Sequence, residues 1–185
     1  MIYSLSLRNT GLLVGLFVFA VHAVALIHAQ AVKNFLQSFP RSRTMGTFLL
    51  LLDAVWAFAL VAQIDLGEFT AYREIFLGII AIGSVLTLLF VQEFLAVRAL
   101  GMACLLVAEP LLEVTFLRPE LSRLLLSLLA YGWATLGLFW VGMPYLLRDQ
   151  IEWVSKTDLR WRVAALGGVV YGVAIWIAAL TQYGA

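Results

Sequence analysis

A chain of 185 residues that is 63% hydrophobic and only 12% charged, with a mean hydropathy of +0.99, cannot bury its apolar surplus in a water-soluble fold. Soluble domains run at about 45–50% apolar and ~25% charged, and the excess would stand in large patches facing water. A net charge of +1 gives no general attraction to nucleic acid, and the single cysteine, Cys104, excludes an intramolecular disulfide or a cysteine-rich metal site.

Lipid removes the difficulty. A helix crossing the hydrocarbon core needs about 20 mostly apolar residues, because the core is ~30 Å thick and each residue rises ~1.5 Å. Six segments qualify in chain order: 11–32, 46–64, 75–97, 99–117, 121–147 and 163–183. The expected fold is therefore an all-α polytopic membrane helix bundle in a single domain spanning 1–185.

The first span begins after Arg8 and ends near Ala29-Gln30-Ala31. That pattern also suits a cleavable secretory signal, but the apolar run exceeds the usual ~7–15 residues. Cleavage would also place Lys33, Arg41 and Arg43 outside. Pro40-Arg41-Ser42-Arg43 punctuates the passage to the second span, and Asp65-Leu66-Gly67-Glu68 the passage to the third. The run from Ile75 to Leu117 is too long for one crossing, and its turn is expected at Arg98–Gly101, where a charge and a glycine meet. Arg118-Pro119-Glu120 marks the next hairpin, with Pro119 suited to a helix start. The fifth span is read as one long helix running toward Arg148. The stretch Leu147–Arg162 mixes charge with Trp153 and Trp161 and is read as an interfacial amphipathic element.

Orientation follows the basic residues of the short loops. With the amino terminus outside, the inner side carries Lys33, Arg41, Arg43, Arg98, Arg148, Lys156, Arg160 and Arg162, against Arg8, Arg73, Arg118 and Arg123 outside. Both termini are thus expected on the non-cytoplasmic face of a plasma or bacterial-type inner membrane.

Ionisable groups within a span cost ~2.5–3.5 kcal/mol on insertion scales, so each one calls for a reason. Asp53 sits in Leu49-Leu50-Leu51-Leu52-Asp53-Ala54-Val55-Trp56, with no polar neighbour in sequence. By depth its nearest basic candidates are Arg98 and His22. Glu109 and Glu113 lie four apart on one helix face, suited to a cation or a proton relay, or to interhelical ion pairs. Glu113 and Arg123 stand five residues to either side of Arg118, so a hairpin pairs them in depth. Glu93 is expected to meet Arg98 or Arg148 in an inner charge network. Asp53, Glu109, Glu93 and His22 are therefore the ion, proton or ligand candidates, and Glu113, Arg123, Arg98 and Arg148 the structural ion-pair candidates.

His22 and His28 are six apart, about 240° around a helix, and cannot share one ion. His22 shares a face with Gly15 and reads as a packed histidine. No metal site and no cofactor is expected. Gly11-Leu-Leu-Val-Gly15 and Gly168-Val-Val-Tyr-Gly172 are GxxxG runs that allow close backbone approach. They either close the bundle on itself or join copies into a homo-oligomer or a larger membrane complex. No HExxH, GxSxG, P-loop or dinucleotide fingerprint occurs. The leading expectation is a small transporter-like protein whose buried acids handle an ion or a proton. A structural or accessory subunit of a larger membrane complex ranks second, and a lipid-acting membrane enzyme third.

Overall fold

Ser6 begins the first helix in the computed structural model, which describes residues 5–182. Its hydroxyl accepts from the Asn9 amide at 3.1 Å, satisfying one of the amides a helix start leaves open. The chain then forms α1 (Leu7–Ile27), α2 (Ala29–Ser38), a 3-10 turn (Phe39–Arg41), α3 (Arg43–Gln63), a second 3-10 turn (Gly67–Tyr72), α4 (Arg73–Phe90), α5 (Leu95–Thr115), α6 (Arg123–Gly142), α7 (Tyr145–Ser155) and α8 (Asp158–Thr181). No strand occurs among the described residues. Six helices, α1, α3, α4 with its leading turn, α5, α6 and α8, are long and apolar enough to cross a membrane. The all-α six-span bundle read from the sequence is the fold observed.

The sixth crossing helix starts at Asp158 rather than 163, and the fifth at Arg123, past Pro119. Three further boundaries differ from expectation, each for a local reason. The first span ends at Ile27, where His28 leaves helical geometry (φ −113°, ψ 46°) and α2 begins as a separate element. The turn between the third and fourth spans falls at Val91–Phe94 rather than Arg98–Gly101. Phe94 takes the left-handed conformation (φ 54°), and its carbonyl receives the Val97 and Arg98 amides at 3.0 and 3.1 Å. Arg98 and Gly101 are therefore helical, and both contact α6. The long fifth span is broken at Met143-Pro144. Pro144 offers no amide to continue α6 and opens α7 instead.

α7 covers most of the stretch Leu147–Arg162 read as amphipathic, while the last residues of that stretch, from Asp158, belong to α8. α7 buries Leu147 and Ile151 while Asp149, Gln150, Glu152 and Trp153 stay exposed. It packs with the first 3-10 turn and the start of α5 in an apolar cluster of Phe39, Ala96, Val97, Leu147 and Ile151. The opposite end is sealed by Leu7, Val114, Leu126, Ile175, Ala178 and Ala179 from α1, α5, α6 and α8.

α1 packs chiefly on α8, and α5 chiefly on α6, with α3 beside α5 and α4 beside α3. Glycines set the two closest pairings. A Cβ on Gly172 would lie 2.5 Å from the Phe19 amide nitrogen, and one on Gly15 would lie 2.9 Å from that of Trp176. Gly168 carries the His22 ring directly on its Cα, and Gly11 is buried. Gly15, Gly168 and Gly172 thus face the chain's own helices. Trp161 fastens the other end of this pair, its indole N–H donating to the Ala25 carbonyl at 2.9 Å. α4 stands apart. It buries no residue, and Ile75, Ile79, Ile82, Val85, Leu89 and Phe90 are exposed along it.

Candidate functional site: the Asp53 cavity

Ser42 caps α3, its hydroxyl accepting from the Met45 amide at 3.3 Å, and the helix runs up through Leu49–Leu52 to Asp53. There the helix meets α5 at close range. A Cβ on Gly46 would lie 2.7 Å from the Ala96 amide nitrogen, and Leu50 packs against Leu95 and Ala99. This contact turns one face of α3 inward and takes Asp53 with it. Asp53 is 3% exposed, and neither buried carboxylate oxygen has a hydrogen-bond partner among the described residues. An unpaired carboxylate away from water is among the most expensive groups a fold can hold, and it persists where a proton or cation can join it.

Asp53 lines a cavity of about 360 Å³ between α3, α4 and α5. Its walls are apolar except for Ser84 and Thr87 on α4. Each hydroxyl donates to the carbonyl one turn back, Ser84 to Ile80 at 2.7 Å and Thr87 to Gly83 at 2.8 Å. With their protons committed, the two oxygens offer lone pairs, so the polar groups of this cavity all act as acceptors.

The sequence pointed to Asp53 but passed over Ser84 and Thr87. Their signal was modest: two hydroxyls three residues apart, hence on one face, in an otherwise apolar run.

The other expected residues are scattered. Glu109 is exposed on α5, on the stripe that carries Met102, Leu105 and Leu106 into the cavity wall. From the Gly46–Ala96 contact, with α3 and α5 running the same way, Glu109 stands about 9 Å further along the bundle than Asp53. Glu93 is exposed in the turn before α5 rather than buried. The bases expected to meet it are engaged elsewhere. Arg98 donates from Nη1 to the Val141 carbonyl of α6 at 2.7 Å. Arg148 bonds Asp149 at 3.0 and 2.8 Å and reaches Glu152 at 4.0 Å. The Asp149 carboxylate pushes the Arg148 guanidinium, already strongly basic, still higher.

His22 donates from Nδ1 to the Val18 carbonyl at 2.8 Å and lines a different, apolar cavity of about 500 Å³ between α1, α2, α7 and α8. Neither His22 nor Arg98 bonds to Asp53. Arg123 donates to the Thr115 carbonyl at 2.8 Å, and Ser127 bonds the Thr115 hydroxyl at 3.0 Å, which closes the α5–α6 hairpin just beyond Glu113. One ion pair lay outside the sequence reading: Lys33 bonds Asp158 at 2.7 Å and sits 5.4 Å from the Trp161 ring centroid, joining α2 to the start of α8.

No group of three or more His, Cys, Asp or Glu side chains is arranged to hold a metal among the described residues. No family model matches the chain, and no curated protein or solved structure matches it.

Proposed function

We propose that this is a small transporter-like membrane protein in which Asp53 takes up and releases one positive charge inside the α3–α4–α5 bundle. One observation carries the reading: a carboxylate 3% exposed, with both oxygens unpartnered, opens into a cavity whose only other polar groups are acceptors. A purely structural carboxylate at depth is bonded to a base or to hydroxyl or amide donors. Asp53 has none among the described residues, which supports a species from outside the chain as its partner.

The orientation proposed with it has both termini on the non-cytoplasmic face. The interfacial helices α2 and α7 gather at the bundle end that carries Lys33, Arg41 and Arg148, which suits a cytoplasmic surface. Purified protein in sealed vesicles, with an ion or pH gradient imposed, tests the function. Flux should exceed that of protein-free vesicles and vanish in Asp53→Asn.

A second reading, an accessory subunit of a larger membrane complex, is favoured by α4 and Glu109. α4 offers an unburied apolar face, and Glu109 is a carboxylate on the outside of the bundle within a spanning helix. A partner helix would cover both. Purification in mild detergent with a stoichiometric companion would support this reading over the first.

A further inference from the structure

The cavity beside Asp53 has a chemistry narrower than charge uptake in general. Its ligand set is entirely oxygen: one carboxylate on α3 and the Ser84 and Thr87 hydroxyls on α4. Because both hydroxyl protons are held by backbone carbonyls, neither hydroxyl can donate to Asp53. Three acceptors facing a shared space are brought into balance by a cation between them, and oxygen donors select hard cations.

Charge count sets the valence. A single carboxylate compensates one positive charge, and a divalent ion in these apolar walls would keep an uncompensated charge. The cavity volume of about 360 Å³ accommodates an ion and several waters, each taking ~30 Å³ of liquid. Few other titratable groups face the site. From α5 the Cys104 thiol is near enough to interact with Asp53 electrostatically, and Glu109 lies about a turn and a half beyond. The α4 residues lining the cavity, and those of α3 apart from Asp53, carry none.

Resting on the reading of Asp53 as the charge-handling group, we infer that this cavity binds a hydrated monovalent alkali cation between Asp53, Ser84 and Thr87, in exchange for a proton. The protonated carboxyl gives its proton to water as the cation enters, and the carboxylate regains one as the cation leaves. Charge at the site is the same in both states, which is what an apolar surrounding demands.

Proton release on adding salt tests this directly. The full-length protein, in weakly buffered detergent solution with a pH indicator, is titrated with sodium chloride and with potassium chloride, choline chloride serving as control. Release of up to one proton per chain with sodium or potassium, absent with choline and absent in Asp53→Asn, is the expected result. Ser84→Ala combined with Thr87→Val should weaken the cation response by about tenfold or more. The infrared band of a protonated Asp53 carboxyl should persist in that variant, and Thr87→Ser should restore the response. Should Asp53→Asn misfold, the wild-type comparison with choline still decides. A protonated Asp53 band that no alkali salt diminishes would overturn the exchange while leaving charge uptake by Asp53 intact. Lack of both band and salt response would overturn both readings, and a response to calcium or magnesium alone would overturn the monovalent assignment.

Discussion

Gly101 on α5 and Gly137 on α6 meet backbone to backbone. A Cβ on Gly101 would stand 2.8 Å from the Gly137 carbonyl oxygen, and one on Gly137 would stand 2.7 Å from that of Gly101. The nearest atom in the way is in each case a main-chain oxygen, which cannot rotate aside. Gly101→Ala or Gly137→Ala should each destabilise the helix pair by about 1–3 kcal/mol, as overpacking does. Thermal unfolding in detergent measures it. Because one separation of the helices relieves both clashes, the double variant should lose clearly less than the sum.

The same pairing is fixed one turn away by Arg98, whose Nη1 donates to the Val141 carbonyl at 2.7 Å. Arg98→Ala should cost about 1.5–3 kcal/mol, the range for hydrogen bonds to charged groups. Arg98→Met keeps most of the stem and should lose nearly as much, since the guanidinium makes the bond. A Met variant as stable as wild type would show that packing of the stem is what matters there.

At the opposite end, Arg123 holds the Thr115 carbonyl at 2.8 Å. We expect Arg123→Ala to lower the melting temperature in detergent. The proposed coupling to Glu113 adds a second expectation: Glu113→Gln in the Arg123→Ala background should cost less than it does alone. Fully additive losses would separate the two residues energetically.

Topology is tested by labelling. In a Cys104→Ala background, cysteines introduced at Gln37 and Lys156, exposed on α2 and after α7, should be shielded from an impermeant thiol reagent in intact cells. A cysteine at Thr70, exposed in the turn before α4, should react. All three reacting from one side would rule out the six-span arrangement.

Composition and apolar run length made the six crossings legible, because the thickness of a bilayer constrains helix length directly. The turns were less so. Arg98 with Gly101 looked like a hairpin, yet both residues serve the α5–α6 contact, and that partner is invisible in one dimension. The break at Pro144 was readable from its missing amide and was passed over because the apolar run continues to Leu147. Phe94 in the left-handed region carries no sequence signal, since glycine or asparagine usually fills such a place. Within the site, Asp53 was conspicuous as one charge in an apolar helix. Ser84 and Thr87 were not, because hydroxyls bonded to their own helix are unremarkable in a span until the facing carboxylate is known. Glu93 reads as a residue at depth only with the turn seven residues further along the chain than Val91–Phe94, where it falls.

The absence of a partner for Asp53 among the described residues gives opposite expectations for function and stability. Replacing an unpartnered buried carboxylate with an apolar or neutral group removes a desolvation cost and no bond. Asp53→Leu and Asp53→Asn should therefore unfold at or above the wild-type temperature. A loss of stability in Asp53→Leu that Asp53→Asn repairs would point to a structural hydrogen bond instead.

The decisive measurement is ion flux through sealed vesicles bearing wild type or Asp53→Asn, matched for protein content and orientation, with a trapped pH indicator and an imposed sodium or potassium gradient. Wild type should shift the internal pH well above the rate of protein-free vesicles, and Asp53→Asn should fall to that background while remaining folded. Equal rates for the two proteins, or a wild-type rate no higher than background, would contradict a charge-handling role for Asp53.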